Sequence, residues 1–269
     1  MLNLVSSHLT SSGATFSSVD LSHYVERPQL ENTLKNIPLS LVNGSYTIVA
    51  GVKGVGKSTA VAATYKGKKG VVLVKVGESD SRDILQLKLI QRCGMSNVTA
   101  LNTYDIDPFL KAVAAARTEL NSKVTIIFEL ERSTQSPISI TAIKYLAKEL
   151  AGAASVIIVV SESHAALGYT DDPDRQRHIW VDEMTRNEAV AYAKKRKMTS
   201  KLEEKDLNKF FDEVGTLPLK INTLEEGLTE GFSLDDIIEK THDIAMRDFD
   251  DFPHQIILKK LKEKLESDS

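Results

Sequence analysis

The sequence carries one cysteine, Cys93, in 269 residues, so neither an intramolecular disulfide nor a cysteine-based zinc site can be built from it. A lone thiol fits a reducing compartment, and Cys93 reads as a small packing residue rather than a nucleophile. An excess of one charge is also missing. Against 37 acidic side chains stand 34 basic ones, a net charge of −3, which gives no overall attraction to nucleic acid or an anionic membrane. Long apolar runs are absent too: the longest, Val156 to Val160, falls far short of the roughly 20 residues that span a bilayer. The sequence therefore predicts no transmembrane helix and no membrane partner. Residues 1–22 contain no Lys or Arg, unlike a secretory signal or a transit peptide, which predicts an intracellular protein. The same residues are rich in serine (Ser6, Ser7, Ser11, Ser12, Ser17, Ser18 and Ser22) and read as a flexible arm.

What is present is an ordinary globular composition, 42% hydrophobic and 26% charged, long enough for one large domain with an appendage and a sizeable core. Runs containing β-branched residues at Tyr46–Ala50, Val71–Val76, Val124–Phe128 and Val156–Val160 are apolar on both faces, the texture of buried parallel strands. Helical periodicity fills the gaps, at Lys57–Tyr65, Ser81–Arg92, Pro108–Leu120 and Pro137–Ala151, each opened by a capping residue or an early proline. With a fifth short strand at Ile179–Val181, the expected fold class is α/β: a three-layer core over residues 23–183 with a mainly parallel five-stranded sheet. After it only helices follow. Thr185 and Glu188 have capping-box spacing for a helix through Lys195, and further helices are expected at Leu202–Glu213, Pro218–Thr229, Ser233–Arg247 and Pro253–Leu265. Residues 184–269 thus read as a small helical lid.

One motif carries chemistry. Gly51-Val52-Lys53-Gly54-Val55-Gly56-Lys57-Ser58 satisfies G-x-x-x-x-G-K-[ST] between a strand and a helix, the context in which glycines let backbone N–H groups surround a phosphate at a helix N-terminus. Lys57 reaches the β and γ phosphates, Ser58 holds Mg²⁺, and Thr59 supports the loop from the next position. A hydrolase also needs a carboxylate at a neighbouring strand end to order the metal and the attacking water. Glu129 is the best candidate, with Glu131 next and Leu130 where a second acid would be expected. Ser161, after the strand ending at Val160, is the candidate γ-phosphate sensor. Arg175 and Arg177 read as solvated loop charges, with phosphate neutralisation in cis or in trans as the alternative.

Together these segments resemble the nucleotide-binding core of the AAA+ and STAND class of P-loop ATPases, over about residues 20–230. Tyr24-Val25-Glu26-Arg27-Pro28-Gln29-Leu30 is similar to the segment that wraps the adenine in that class, implying that Tyr24, Val25, Arg27 and Pro28 contact the nucleotide. Gly215-Thr216-Leu217-Pro218-Leu219 resembles the G-x-P stretch whose proline lies near the base, which implicates Pro218, with Lys220 as a candidate second sensor. The R-P dipeptide and short chain are similar to the NTPase modules of crinkler-type effectors, which implies a nucleus, and Lys194-Lys195-Arg196-Lys197 has the form of an import signal. Cations at a helix C-terminus are the plainer reading of that tetrad.

The expected function is therefore Mg-dependent ATP binding and hydrolysis, with ATP/ADP and Mg²⁺ as cofactors and the nucleotide state coupled to a protein partner or a second copy of the chain. A GTPase would need an Asn-Lys-x-Asp reader, and Asn208-Lys209-Phe210-Phe211-Asp212 has one residue too many. The rival from another class is an interaction module that holds nucleotide with little turnover. Nucleic-acid binding through Lys194–Lys197 and the C-terminal lysines is a third reading.

Overall fold

A computed structural model describes residues 2–13, 16, 19–40, 45–94, 106–130, 137–160 and 175–250. The chain forms two compact units, Met1–Met184 and Thr185–Ser269. The first opens with α1 (Leu2–Ser11) and α2 (Pro28–Ser40), followed by β1 (Tyr46–Ala50), α3 (Lys57–Tyr65), β2 (Val71–Val76), α4 (Arg82–Arg92) and α5 (Asp107–Leu120). It continues through β3 (Thr125–Leu130), α6 (Pro137–Leu150), β4 (Ser155–Val159) and β5 (Gln176–Trp180).

The five strands form one parallel sheet in the order β2-β3-β4-β1-β5. Tyr46, Ile48, Val74, Ile126, Phe128 and Ile158 turn one face of it onto α1, α4, α5 and α6 in a continuous apolar core. The strand period of two sends the alternate residues to the opposite face, and right-handed crossovers place α3 there, where it packs on α2. The architecture is the expected three-layer α/β sandwich. The strand order matters for function because β1 and β4 are neighbours whose chains leave in opposite directions, one toward β2 and the other toward β5. A crevice opens outside the carboxyl ends of two such strands, the place where open α/β sheets bind ligands.

Edges differ from the sequence reading where local chemistry overrides periodicity. β5 spans Gln176–Trp180 rather than Ile179–Val181, because as an edge strand it keeps Arg177, His178 and Trp180 exposed and shows no apolar run. α2 had no counterpart in the sequence reading, although Pro28 at its first turn and Leu30, Leu34 and Ile37 at helical spacing were a legible signal. The flexible arm is a correction. In α1 Ser7 and Ser11 are exposed and Ser6 is buried, while Val5 and Leu9, at 0% and 2% exposure, enter the main core against α5. Serine content had masked an apolar stripe at i, i+4.

In the second unit, α7 (Arg186–Lys195) starts at the expected reciprocal capping box of Thr185 and Glu188. A 3₁₀ turn at Met198–Ser200 leads to α8 (Glu204–Val214), α9 (Pro218–Glu230) and α10 (Leu234–Asp250). α8 begins two residues later than periodicity suggests because Glu203 and Asp206 form a second capping box. Leu207, Phe210, Ile221, Leu224 and Ile237 make this unit's core. The helix expected at Pro253–Leu265 lies outside the described residues.

Cys93 is fully buried in the first core, and burial pushes its thiol up to about 12. The folded protein will therefore resist thiol reagents at pH 8 and react only on unfolding. Stability should fall as pH rises above the thiol's ordinary value of 9.0, where only the unfolded chain ionises, and Cys93→Ala should remove that part of the alkaline loss in urea titrations. Leu9→Ala will cost about 2–5 kcal/mol in the same assay; an unchanged midpoint would return residues 1–11 to the status of an arm.

Candidate functional site

β1 is buried on both faces and ends at Ala50, so its chain must turn into α3 without side-chain bulk. Gly51 has φ +155°, and a Cβ there would stand 2.5 Å from the carbonyl oxygen of Val181. Gly54 and Gly56 adopt φ +80° and +91°, left-handed conformations that cost L-residues with a Cβ. Between them Val55 is completely buried and Val52 is exposed, so one valine pins the loop and the other lies on its outer surface with Lys53.

Gly56 is the N-cap of α3 and supplies no capping side chain. The helical ladder starts with Ala60 N–H to Gly56 O at 2.9 Å, which leaves the N–H groups of Ser58 and Thr59 to an acceptor from outside the helix. Lys57 follows the cap with 5% exposure, and its Nζ donates to Gly51 O at 2.8 Å and to Val52 O at 2.9 Å. Backbone donors, the positive end of α3 and a buried ammonium converge on one concave loop. A donor set of that kind accepts an anion with several oxygens, and a phosphate fits it.

Across the crevice, Glu129 is the next-to-last residue of β3, half-buried, level with Val159 of β4 and with Lys75 of β2. Val159 is in turn level with Val49 of β1, so the carboxylate stands at the same end of the sheet as the loop, with β4 between. Leu130 points to the opposite face, 3% exposed in the core, and offers no second acid. Among the described residues no group of three or more His, Cys, Asp or Glu side chains gathers to hold a metal. Among the described residues Ser58 and Glu129 are the candidates to hold a cation here, with phosphate and water as its other ligands, a set that suits Mg²⁺. Ser161 and Glu131 lie outside the described residues.

The segment before α2 is fixed by Glu31. Its Oε1 accepts from the Tyr24 hydroxyl at 2.8 Å and from the Arg27 N–H at 3.2 Å, and its Oε2 accepts from Lys35 Nζ at 3.1 Å. Burial, reinforced by the bond to Glu31, raises the Tyr24 phenol well above its ordinary value. Val25 is buried, and Pro28 is exposed at the first position of α2. Arg27 is 7% exposed; its Nη1 donates to Val55 O at 3.2 Å, and its Nη2 to Asp182 O at 2.8 Å and Glu183 O at 2.9 Å. Sequence reasoning gave this side chain a ligand to hold, and the fold gives it three main-chain carbonyls. No spacing between residues 27, 55 and 182 could have signalled that.

Arg177 is level with Thr47 in the β1–β5 register, four residues and about 13 Å of strand before Gly51 at ~3.3 Å per residue, and Arg175 lies earlier still. Pro218 is buried at the first position of α9 in the second unit. Lys220 Nζ donates to Val214 O at the end of α8 at 2.9 Å. Of the basic tetrad, Arg196 pairs with Glu225 through Nε at 2.6 Å and lies over Tyr192, while Lys194, Lys195 and Lys197 are exposed around the end of α7.

No protein-family model matches the sequence, and no curated protein does. Solved structures do. A Walker-type ATPase of Pyrococcus abyssi is 11% identical and superposes with a TM-score of 0.55, over 97% of this chain and 80% of its own. The ORC2 protein of Aeropyrum pernix, in ADPNP–ADP complexes, is 16% identical, with a TM-score of 0.47 over 80% of this chain and 66% of its own. Cdc6p from Pyrobaculum aerophilum is 17% identical, with a TM-score of 0.48 over 79% and 67%. The first of these likenesses shows that the chain has the α/β fold of a P-loop ATPase.

Gly51→Ala puts a methyl group against a backbone oxygen that cannot swing aside. It should lower stability by about 1–3 kcal/mol in thermal or urea unfolding, whereas Gly152→Ala, whose Cβ would meet nothing within 4 Å, should leave the midpoint within about 0.5 kcal/mol of wild type.

Proposed function

We propose that this chain binds Mg·ATP on the 51–58 loop and hydrolyses it slowly. The observation that carries this reading is the loop itself: glycines in left-handed conformations, N–H groups of α3 without a side-chain cap and the buried Lys57 ammonium. Ser58 and Glu129 would hold Mg²⁺ together with phosphate and water, and the ion would supply electrostatic stabilisation of the charge on the phosphates. In this reading Lys57 moves from the Gly51 and Val52 carbonyls to the β and γ phosphates, and the Ser58 hydroxyl orients toward the metal. Glu129 holds the attacking water and accepts its proton. ATP is favoured over GTP because the nearest thing to a guanine reader lies within α8, with Phe210 and Phe211 in that unit's core and Lys209 paired with Asp235 at 2.5 Å.

The segments Tyr24–Leu30 and Gly215–Leu219 support a place on the AAA+ and STAND side of the P-loop ATPases, with the nucleotide state coupled to a protein partner or a second copy of the chain. A second reading has a specific observation behind it. Leu130 fills the core where a second acid would stand beside Glu129, as befits a module that holds nucleotide and turns little of it over.

Phosphate release from ATP and GTP separates the two. Hydrolysis predicts Mg-dependent, ATP-selective release that Lys57→Ala abolishes and Glu129→Gln cuts roughly a hundredfold. Binding without turnover predicts ATP uptake by the wild type with release no higher than that of Lys57→Ala.

A further inference from the structure

The chain approaches the sheet past Arg27, and it leaves the first unit past Asp182 and Glu183. Between them in space lies the 51–58 loop. One guanidinium touches all three segments: Nη1 takes Val55 O at 3.2 Å, and Nη2 takes Asp182 O at 2.8 Å and Glu183 O at 2.9 Å. Glu26 and Pro28 on either side are exposed, whereas Arg27 is 7% exposed. Nε is buried without a hydrogen-bond partner among the described residues, so the charge rests on the two terminal nitrogens and their three carbonyls, and these hold one another in place.

We propose that Arg27 is a positioning residue that aims the phosphate-binding N–H of the loop and makes the loop and residues 182–183 move together; this rests on the nucleotide reading above. Val55 C=O and Gly56 N–H belong to one planar peptide unit and point in opposite directions. A carbonyl anchored on Arg27 therefore directs the Gly56 N–H away from Arg27, just ahead of Lys57 and the first turn of α3. The guanidinium is rigid and planar, so a shift of Val55 reaches Asp182 and Glu183 through a fixed fork instead of being absorbed by a flexible stem. A second tie runs beside it, since Val181 N–H donates to Ala50 O at 2.8 Å and Gly51 packs against Val181 O. The exit segment is gripped at both ends of the loop's first turn. Immediately after it, Thr185 caps α7, so an anion seated on the loop acts on the connection that begins the second unit.

The test uses Mg·ADP on the full chain, with calorimetric affinity and amide hydrogen exchange read together. In the wild type, ADP should slow exchange at residues 52–59 and also at 181–184. Arg27→Met should bind ADP about tenfold more weakly, as loss of a charge-assisted hydrogen bond does. At saturating ADP it should keep the protection at 52–59 and lose that at 181–184. Arg27→Lys keeps the charge without the fork; it should fold, regain part of the affinity and still fail to protect 181–184, and it carries the test should the methionine variant not fold. Protection at 181–184 that responds to ADP in either variant as in the wild type would overturn the proposal while leaving the nucleotide reading intact. Absence of protection at 52–59 in the wild type would bring down the nucleotide reading first and this proposal with it.

Discussion

The structure turns on the exit of β1 from the sheet. β1 is buried on both faces between β4 and β5, and at Ala50 its backbone must leave a hydrogen-bonded ladder, pass beneath the Val181 carbonyl and begin a helix without any side chain to cap it. Backbone groups in that position have to be paired or turned toward something. Val181 and Val160 pair the last residues of β1 through their N–H groups, Arg27 and Lys57 take loop carbonyls, and the N–H groups of the first turn of α3 are what remains. An excess of donors at one end of a parallel sheet is the physical content of a phosphate site, and it follows from the geometry of the turn more than from any one side chain.

How much of this was legible depends on where each residue sits. Strands buried on both faces announce themselves as apolar runs, so β1 and β2 agree with the sequence reading to the residue and β3 and β4 to within two. Edge strand β5 pairs on one side only and keeps polar residues, so its limits shift. α3 was legible because the motif fixes its first residue, and the helix does start at Lys57. α1 was obscured because serines outnumber the residues that anchor it. The loop residues Gly51 to Thr59 stand together because they are contiguous in sequence, and Glu129 stands near them because strand order puts β3 one strand beyond β4. Arg27 shows the limit of sequence reasoning. Its partners are backbone carbonyls 28 and 155 residues away, and main-chain acceptors leave no mark in a sequence.

Glu31 and Glu129 differ in their surroundings. Glu31 sits among donors, from Tyr24, Lys35 and the Arg27 backbone, which together outweigh burial and hold its carboxyl below the ordinary range. It acts as a structural anion that fixes the approach to the sheet. Glu129 stands at a strand end, level with Lys75 across one ladder rung, where its carboxylate is placed for metal and water as the donor-bound Glu31 is not.

α1 completes a core whose other members come from residues as distant as α5 and α6, and its Leu9 carbonyl receives the N–H of Gly70 at 2.8 Å. The helix is synthesised before every strand, yet its docking surface on α5 exists only after residue 120 has been made. Contacts of such long sequence separation close late, because the entropy of the intervening loop is lost before the contact repays it. During synthesis the apolar stripe of Val5 and Leu9 therefore waits for its partner helix for about a hundred residues.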